Sequence, residues 1–124
     1  MTTRRTGRSA ETGAVTVETA MALPMLALFT LSMAWLVSIG LTQVRAVDGA
    51  REAARAAARD DSDSTARALG ERVATQGSRI AIDRRDGTVV ARVSSPVGGP
   101  AGLFGDWVGF EVHAEAVAAE EPTG

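Results

Sequence analysis

The sequence predicts an α+β chain: a long N-terminal transmembrane helix continuing into an Ala- and Arg-rich helix, a short second helix, and a small three-stranded antiparallel sheet. Three observations predict it. No charged residue occurs between Glu18 and Arg45. The stretch that follows is rich in Ala and Arg with helical spacing. The last third alternates apolar and polar residues around an Asp86-Gly87 pair. Three segments result: a basic leader over 1–13, the transmembrane helix and its extension over 14–59, and a small αβ domain over 60–124.

The leader, with Arg4, Arg5 and Arg8 and the single acid Glu11, is polar and reads as disordered. A charge-free run extends from Thr19 to Val44. It exceeds the roughly 20 residues that suffice to cross a bilayer as a helix. At 1.5 Å per residue the run is about 39 Å long. Backbone groups in lipid can pair only within the segment, so the run has to be helical. Pro24 is expected to kink or loosen the start of this helix, because it removes one ladder hydrogen bond. Met21, Met25, Met33 and Trp35 read as packing against lipid or other helices.

From Arg45 to Arg59 the helix is expected to continue, since Ala is the best helix former and Glu52 precedes Arg55 by three residues. Ala46, Ala50, Ala54 and Ala58 recur at spacing four on one face, beside a stripe of Arg51, Arg55 and Arg59. Small residues at that spacing let a second helix approach closely. The segment 60–64 is expected to break the helix, with Asp63 or Ser64 capping a second helix over 65–76 and Gly77 ending it. Ile80 and Ile82 alternate on a first strand, Asp86-Gly87 makes a two-residue hairpin turn, and Val89, Ala91 and Val93 alternate on the return. A Gly- and Pro-containing loop over 94–105 leads to Trp107, and Phe110, Val112, Ala114 and Ala116 form a third strand. The sheet is expected to pack on the second helix, with Trp107 and Phe110 in its core or on a contact surface. Residues 120–124 are expected to fray.

Composition excludes several functions. A formal net charge of −2 does not suit nucleic-acid binding. With no Cys there is no disulfide, thiol catalysis or thiolate metal site. Asp61, Asp63 and Thr65 mimic the start of a calcium loop, but Ala66 and Arg72 stand where that loop needs Gly and Glu. His113 is the single His and has no sequence partner for catalysis or metal binding. Neither a cofactor, a metal, a small-molecule substrate nor an enzymatic activity is expected.

The residues Gly13-Ala-Val-Thr-Val-Glu18 lie directly before the apolar run and behind a basic leader. This arrangement resembles the class III signal of type IV pilins and pseudopilins. The longer stretch Gly13 to Pro24, with Val17-Glu18 and Ala22-Leu23-Pro24, resembles the TadE-like family of the tight-adherence (Flp-type) pilus system, and the likeness extends to about Arg59. Thr19 stands where that family often has an aromatic residue. The resemblance implies cleavage between Gly13 and Ala14 by a prepilin peptidase, leaving a mature chain from Ala14 to Gly124. It also implies pairing of Glu18 with the new α-amine of a neighbouring subunit, and partnership with other pilin-type subunits, pilus assembly proteins and the cytoplasmic membrane. A carboxylate at the edge of hydrocarbon is costly unless paired, which gives that pairing its physical basis.

Orientation does not follow from charge, because Arg4, Arg5 and Arg8 before the run face Arg45, Arg51, Arg55 and Arg59 after it. The resemblance implies a cytoplasmic N-terminus and a C-terminal domain outside. Two alternatives stand beside it. One is a secreted binding domain released by signal peptidase near Ala46, running from Val47 to Gly124. The other is an uncleaved membrane-anchored subunit of another envelope complex.

Overall fold

A computed structural model of the chain describes residues 6–99 and 109–122. Trp107, the end of the expected loop and the first two Arg of the leader lie outside the described residues. The element order is α1 (Thr6–Ala58), α2 (Asp63–Val73), β1 (Arg79–Arg85), β2 (Thr88–Val97) and β3 (Phe110–Ala119). The chain is therefore α+β, with a long N-terminal helix, a short second helix and one antiparallel sheet of order β1-β2-β3. It divides into two compact units between Ala34 and Trp35.

In the first unit α1 is helical from Thr6, so the described part of the leader is helix and not disordered chain. Nothing from Arg8 to Thr12 forbids that conformation, and Thr12 Oγ1 donates to the Arg8 carbonyl at 2.8 Å. The helix also runs through Pro24 without a break in its assignment. Residues 8–30 are exposed throughout. Hydroxyls in this stretch satisfy themselves on the helix: Thr16 donates to Thr12, Thr19 to Val15 and Thr30 to Leu26, each at 2.9 Å. Such back-bonding lets hydroxyls enter an apolar medium without a stranded donor. An 18-residue window of this helix reaches a mean hydropathy of 1.9 with none of it buried, so it is long and apolar enough to cross a membrane.

The second unit is built where the C-terminal part of α1 meets the sheet. Alternate residues of β2, namely Val89, Ala91, Val93, Ser95 and Val97, are buried. Val93 and Val97 pack with Ala46, Ala50, Ala74 and Val112. Ala91 packs with Ala53 and Ala54. Val89 packs with Ala56, Ala57, Ala58 and Ala66. Rising numbers on the helix meet falling numbers on the strand, so α1 and β2 run antiparallel. Among the described residues no fully buried side chain is larger than Val. Helix and sheet thus approach closely, and the apolar area gained per residue is small.

The sheet therefore packs on α1 as well as on α2, where the sequence suggests α2 alone. Leu69, Ile80 and Ile82 close the flank between α2 and β1. Helix α2 lies tightly on α1. A Cβ added to Gly70 would fall 2.8 Å from the Gly49 carbonyl oxygen and 2.9 Å from Ala53 Cβ.

Several boundaries differ from expectation for local reasons. Ser62 is the N-cap of α2, its Oγ accepting from the Thr65 amide at 3.3 Å, so Asp63 and Ser64 are helical. The helix stops at Val73, and Gly77 (φ +85°) belongs to the following turn, closed by Ser78 N–H to the Thr75 carbonyl. Strand β2 continues to Val97, so residues 94–97 are strand and not loop. Asp86 (φ 51°) and Gly87 (φ 73°) are both left-handed, as a two-residue type I′ hairpin turn requires, and Arg85 pairs with Thr88 around them. Phe110 is 42% exposed and does not enter the core. Glu120 and Glu121 are held and not frayed, their amides donating to the Gly87 and Ala58 carbonyls.

One side chain gathers the ends of four elements. Arg84 on β1 donates to the Ala57 carbonyl at 3.0 Å, to Asp63 at 3.0 Å and to Glu120 at 2.9 Å. It therefore gives the Ala57 carbonyl at the C-terminus of α1 a second donor beside the Asp60 N–H at 3.3 Å. The Glu120 and Asp63 hydrogen bonds raise its pKa further above the ordinary arginine value, so it stays cationic. The cluster is partly exposed, with the Arg84 side chain at 33%, which limits what each ion pair contributes.

Substitutions at three positions test this packing. Arg84→Ala is expected to lower stability by about 1–2 kcal/mol in chemical denaturation of the full chain in detergent, with Arg84→Lys recovering only part, because a compact ammonium lacks the spread of the guanidinium fork that reaches these separated partners. Gly70→Ala is expected to destabilise by about 1–3 kcal/mol in the same measurement, since a backbone oxygen cannot move aside. Gly40→Ala, where nothing lies within 4 Å, is expected to stabilise by up to about 1 kcal/mol through helix propensity.

Candidate functional site

Gly13, Ala14 and Glu18 lie on one continuous stretch of α1, in the first unit. All three are exposed. Nothing lies within 4 Å of the position that a Gly13 Cβ would take. The Gly13–Ala14 peptide is helical, whereas a protease needs an extended segment, so cleavage there requires the helix to open locally. Gly lowers the cost of that opening by about 1 kcal/mol relative to Ala.

Glu18 lies one turn from Val15 and from Ala22, and the surface around it is lined by Val15, Thr19, Ala22, Leu23 and Leu26. Among the described residues its carboxylate makes no ion pair. The nearby hydroxyls are turned to the helix's own carbonyls, Thr16 to Thr12 and Thr19 to Val15. The carboxylate is thus presented sideways from an apolar helix wall and is open to a donor from outside the chain. A carboxylate in this setting can accept hydrogen bonds from a cationic donor. Groups of three or more His, Cys, Asp or Glu able to hold a metal ion do not occur among the described residues.

The alanines singled out for helix packing are in the second unit. Ala46 and Ala50 are fully buried, Ala54 is 1% exposed and Ala58 7%. What covers them is the chain's own β2 and β3, not a second chain. A close helix–helix contact of small residues does exist, but on the neighbouring face, where Gly49 and Ala53 meet Gly70 of α2. The bond between Ala46 and Val47 is inside α1, with Ala46 in the core. His113 is exposed on β3, and its carbonyl accepts from Gln43 Nε2 at 3.2 Å.

Trp35 has a role that sequence reasoning missed. Its Nε1 donates to the Gly98 carbonyl at 2.8 Å, and its ring meets Phe110 edge-to-face at 5.9 Å. The second unit therefore begins inside the apolar run, well before that run ends at Val44.

No curated protein and no solved structure matches the chain. A family model does match part of it, beginning at Gly13, taking in Glu18 and Pro24, and ending within the alanine-rich part of α1. By that match, residues 13–55 are similar to the family described as TadE-like protein.

Proposed function

We propose that the chain is a minor pilin or pseudopilin that supports assembly of a tight-adherence (type IVc) pilus or a related secretion apparatus. The observation that carries this reading is the match over residues 13–55, which opens at Gly13 and holds Glu18 immediately before a charge-free helix. In this reading a prepilin peptidase cuts between Gly13 and Ala14 on the cytoplasmic side of the membrane. The chain is its substrate and not an enzyme. The domain after the transmembrane helix lies outside.

The chemistry is that of charge pairing in a poor solvent. Cleavage creates an α-ammonium on Ala14, one turn before Glu18. On a single helix the two lie on the same side, and a neighbouring helix displaced along the axis brings its own ammonium to this carboxylate. Each charge is costly in lipid alone and tolerable as a pair, so the pair selects the axial offset between subunits. The exposed carboxylate of Glu18, which makes no ion pair among the described residues, supports this role.

The test is intact mass and N-terminal sequencing of the membrane-extracted protein, with and without its native prepilin peptidase. A peptidase-dependent start at Ala14, with a mass matching Ala14 to Gly124, is expected. A start at Val47, with a mass matching Val47 to Gly124, identifies a secreted domain and overturns the proposal. A chain still beginning at Met1 or Thr2 in the presence of active peptidase overturns the processing step and with it the role of Glu18.

A further inference from the structure

We infer that the end of the sheet formed by Val97, Gly98 and Phe110 lies in the outer headgroup layer of the bilayer, with lipid and not water covering Phe110 and the exposed apolar stripe on the other side of α1. The inference rests on the membrane-anchored reading above and adds to it the depth at which the folded unit is held.

Depth is set by Trp35. Roughly 20 residues of helix, about 30 Å, cross the hydrocarbon. Counted from Thr19, the first residue after Glu18, they end near Ser38. Trp35 therefore falls at the outer boundary of the hydrocarbon, the level at which indole rings gather in membrane proteins. Its hydrogen bond to the Gly98 carbonyl and its contact with Phe110 hold the end of the sheet at that same level.

The surface chemistry fits that depth. Beyond Trp35, α1 is covered on one side only. Ile39 packs against the core cluster, Thr42 is 9% exposed, and Gln43 reaches the His113 carbonyl. On the other side Leu36, Val37, Leu41 and Val44 are each at least half exposed. The first charge is Arg45. In water this stripe is an exposed apolar surface of the kind that monomeric proteins rarely leave open. Against the bilayer its apolar side chains meet lipid and not water. Glu111, next to Phe110 on β3, is paired with Arg79 at 2.7 Å, so this end carries little net charge into the headgroups.

The chain has no Cys, so a single introduced Cys takes a single spin label. Phe110→Cys and Pro96→Cys probe the near end of the sheet, and Thr88→Cys probes the far end at the hairpin. Pro96→Cys leaves the Trp35–Phe110 contact in place and serves if Phe110→Cys misfolds. The full chain is reconstituted in phosphatidylcholine–phosphatidylglycerol vesicles, and collision of each label with oxygen and with a water-soluble nickel chelate is measured. The oxygen-to-nickel ratio is expected to be several-fold higher at positions 110 and 96 than at 88. Equal ratios at all three positions overturn the inference. Low access to both reagents at 110 and 96, with broadening that grows with protein density, assigns the face to a second copy and also overturns it. Flotation separates the two failures. A chain that does not float with the vesicles is not anchored, whereas one that floats with wet labels at 110 and 96 is anchored but stands clear of the lipid.

Discussion

The second unit depends on one steric constraint: the face of α1 from Ala46 to Ala58 has to be small because β2 lies on it. Ala46, Ala50, Ala53, Ala54, Ala56 and Ala57 are all within 1% of full burial. Any larger side chain on this face must displace the strand. The partners on β2 are Val and Ala, whose short branched or single-carbon side chains suit a pleated surface pressed against a helix. The arrangement gains little apolar area per residue, and a domain of this size has little to spare. Polar closure at the ends therefore matters more than in a leucine-rich core. Arg84 closes one end through Ala57, Asp63 and Glu120. Trp35 closes the other through Gly98 and Phe110.

The same constraint changes what the alanine-rich helix means. Viewed alone, alanines at spacing four suggest an approach by a helix from another subunit. In the folded chain that face is already filled, and the small-residue helix contact is internal, between Gly49, Ala53 and Gly70. What α1 leaves open to other molecules is its N-terminal half, where Glu18 is the one acid between Glu11 and Asp48, together with the apolar stripe of Leu36, Val37, Leu41 and Val44. The chain thus separates two tasks along one helix. The part that contains Glu18 is exposed, and the part nearer Ala58 is the spine of a small domain.

Much of this was legible because the signals are local. A charge-free run of this length has only one conformation in lipid. Asp86-Gly87 between alternating residues defines a hairpin and its register, and the observed pairing of Arg85 with Thr88 agrees. The third strand reads directly from Phe110 to Ala116. What was not legible is what depends on distant partners. Nothing near Arg84 in sequence shows that it will bind Ala57 and Glu120. Nothing near Trp35 announces Gly98, 63 positions away. Buried alanines cannot by themselves say whether a helix or a sheet covers them. Ser62 does not stand out as the cap because Asp63 and Ser64 are equally good cap residues. Gly13 and Glu18 are identified by pattern alone, and their place on an exposed helix adds geometry to that pattern without supplying the partner.

The most direct test of the central constraint is hydrogen exchange of the full chain in lipid nanodiscs, followed by mass spectrometry across a denaturant series. If β2 is what covers the alanine face, amides of residues 46–58 and 89–97 exchange slowly and lose protection together at one denaturant concentration. Protection of 46–58 that persists after 89–97 has become fully exchangeable contradicts the account, because the helix would then be held by something other than its own sheet.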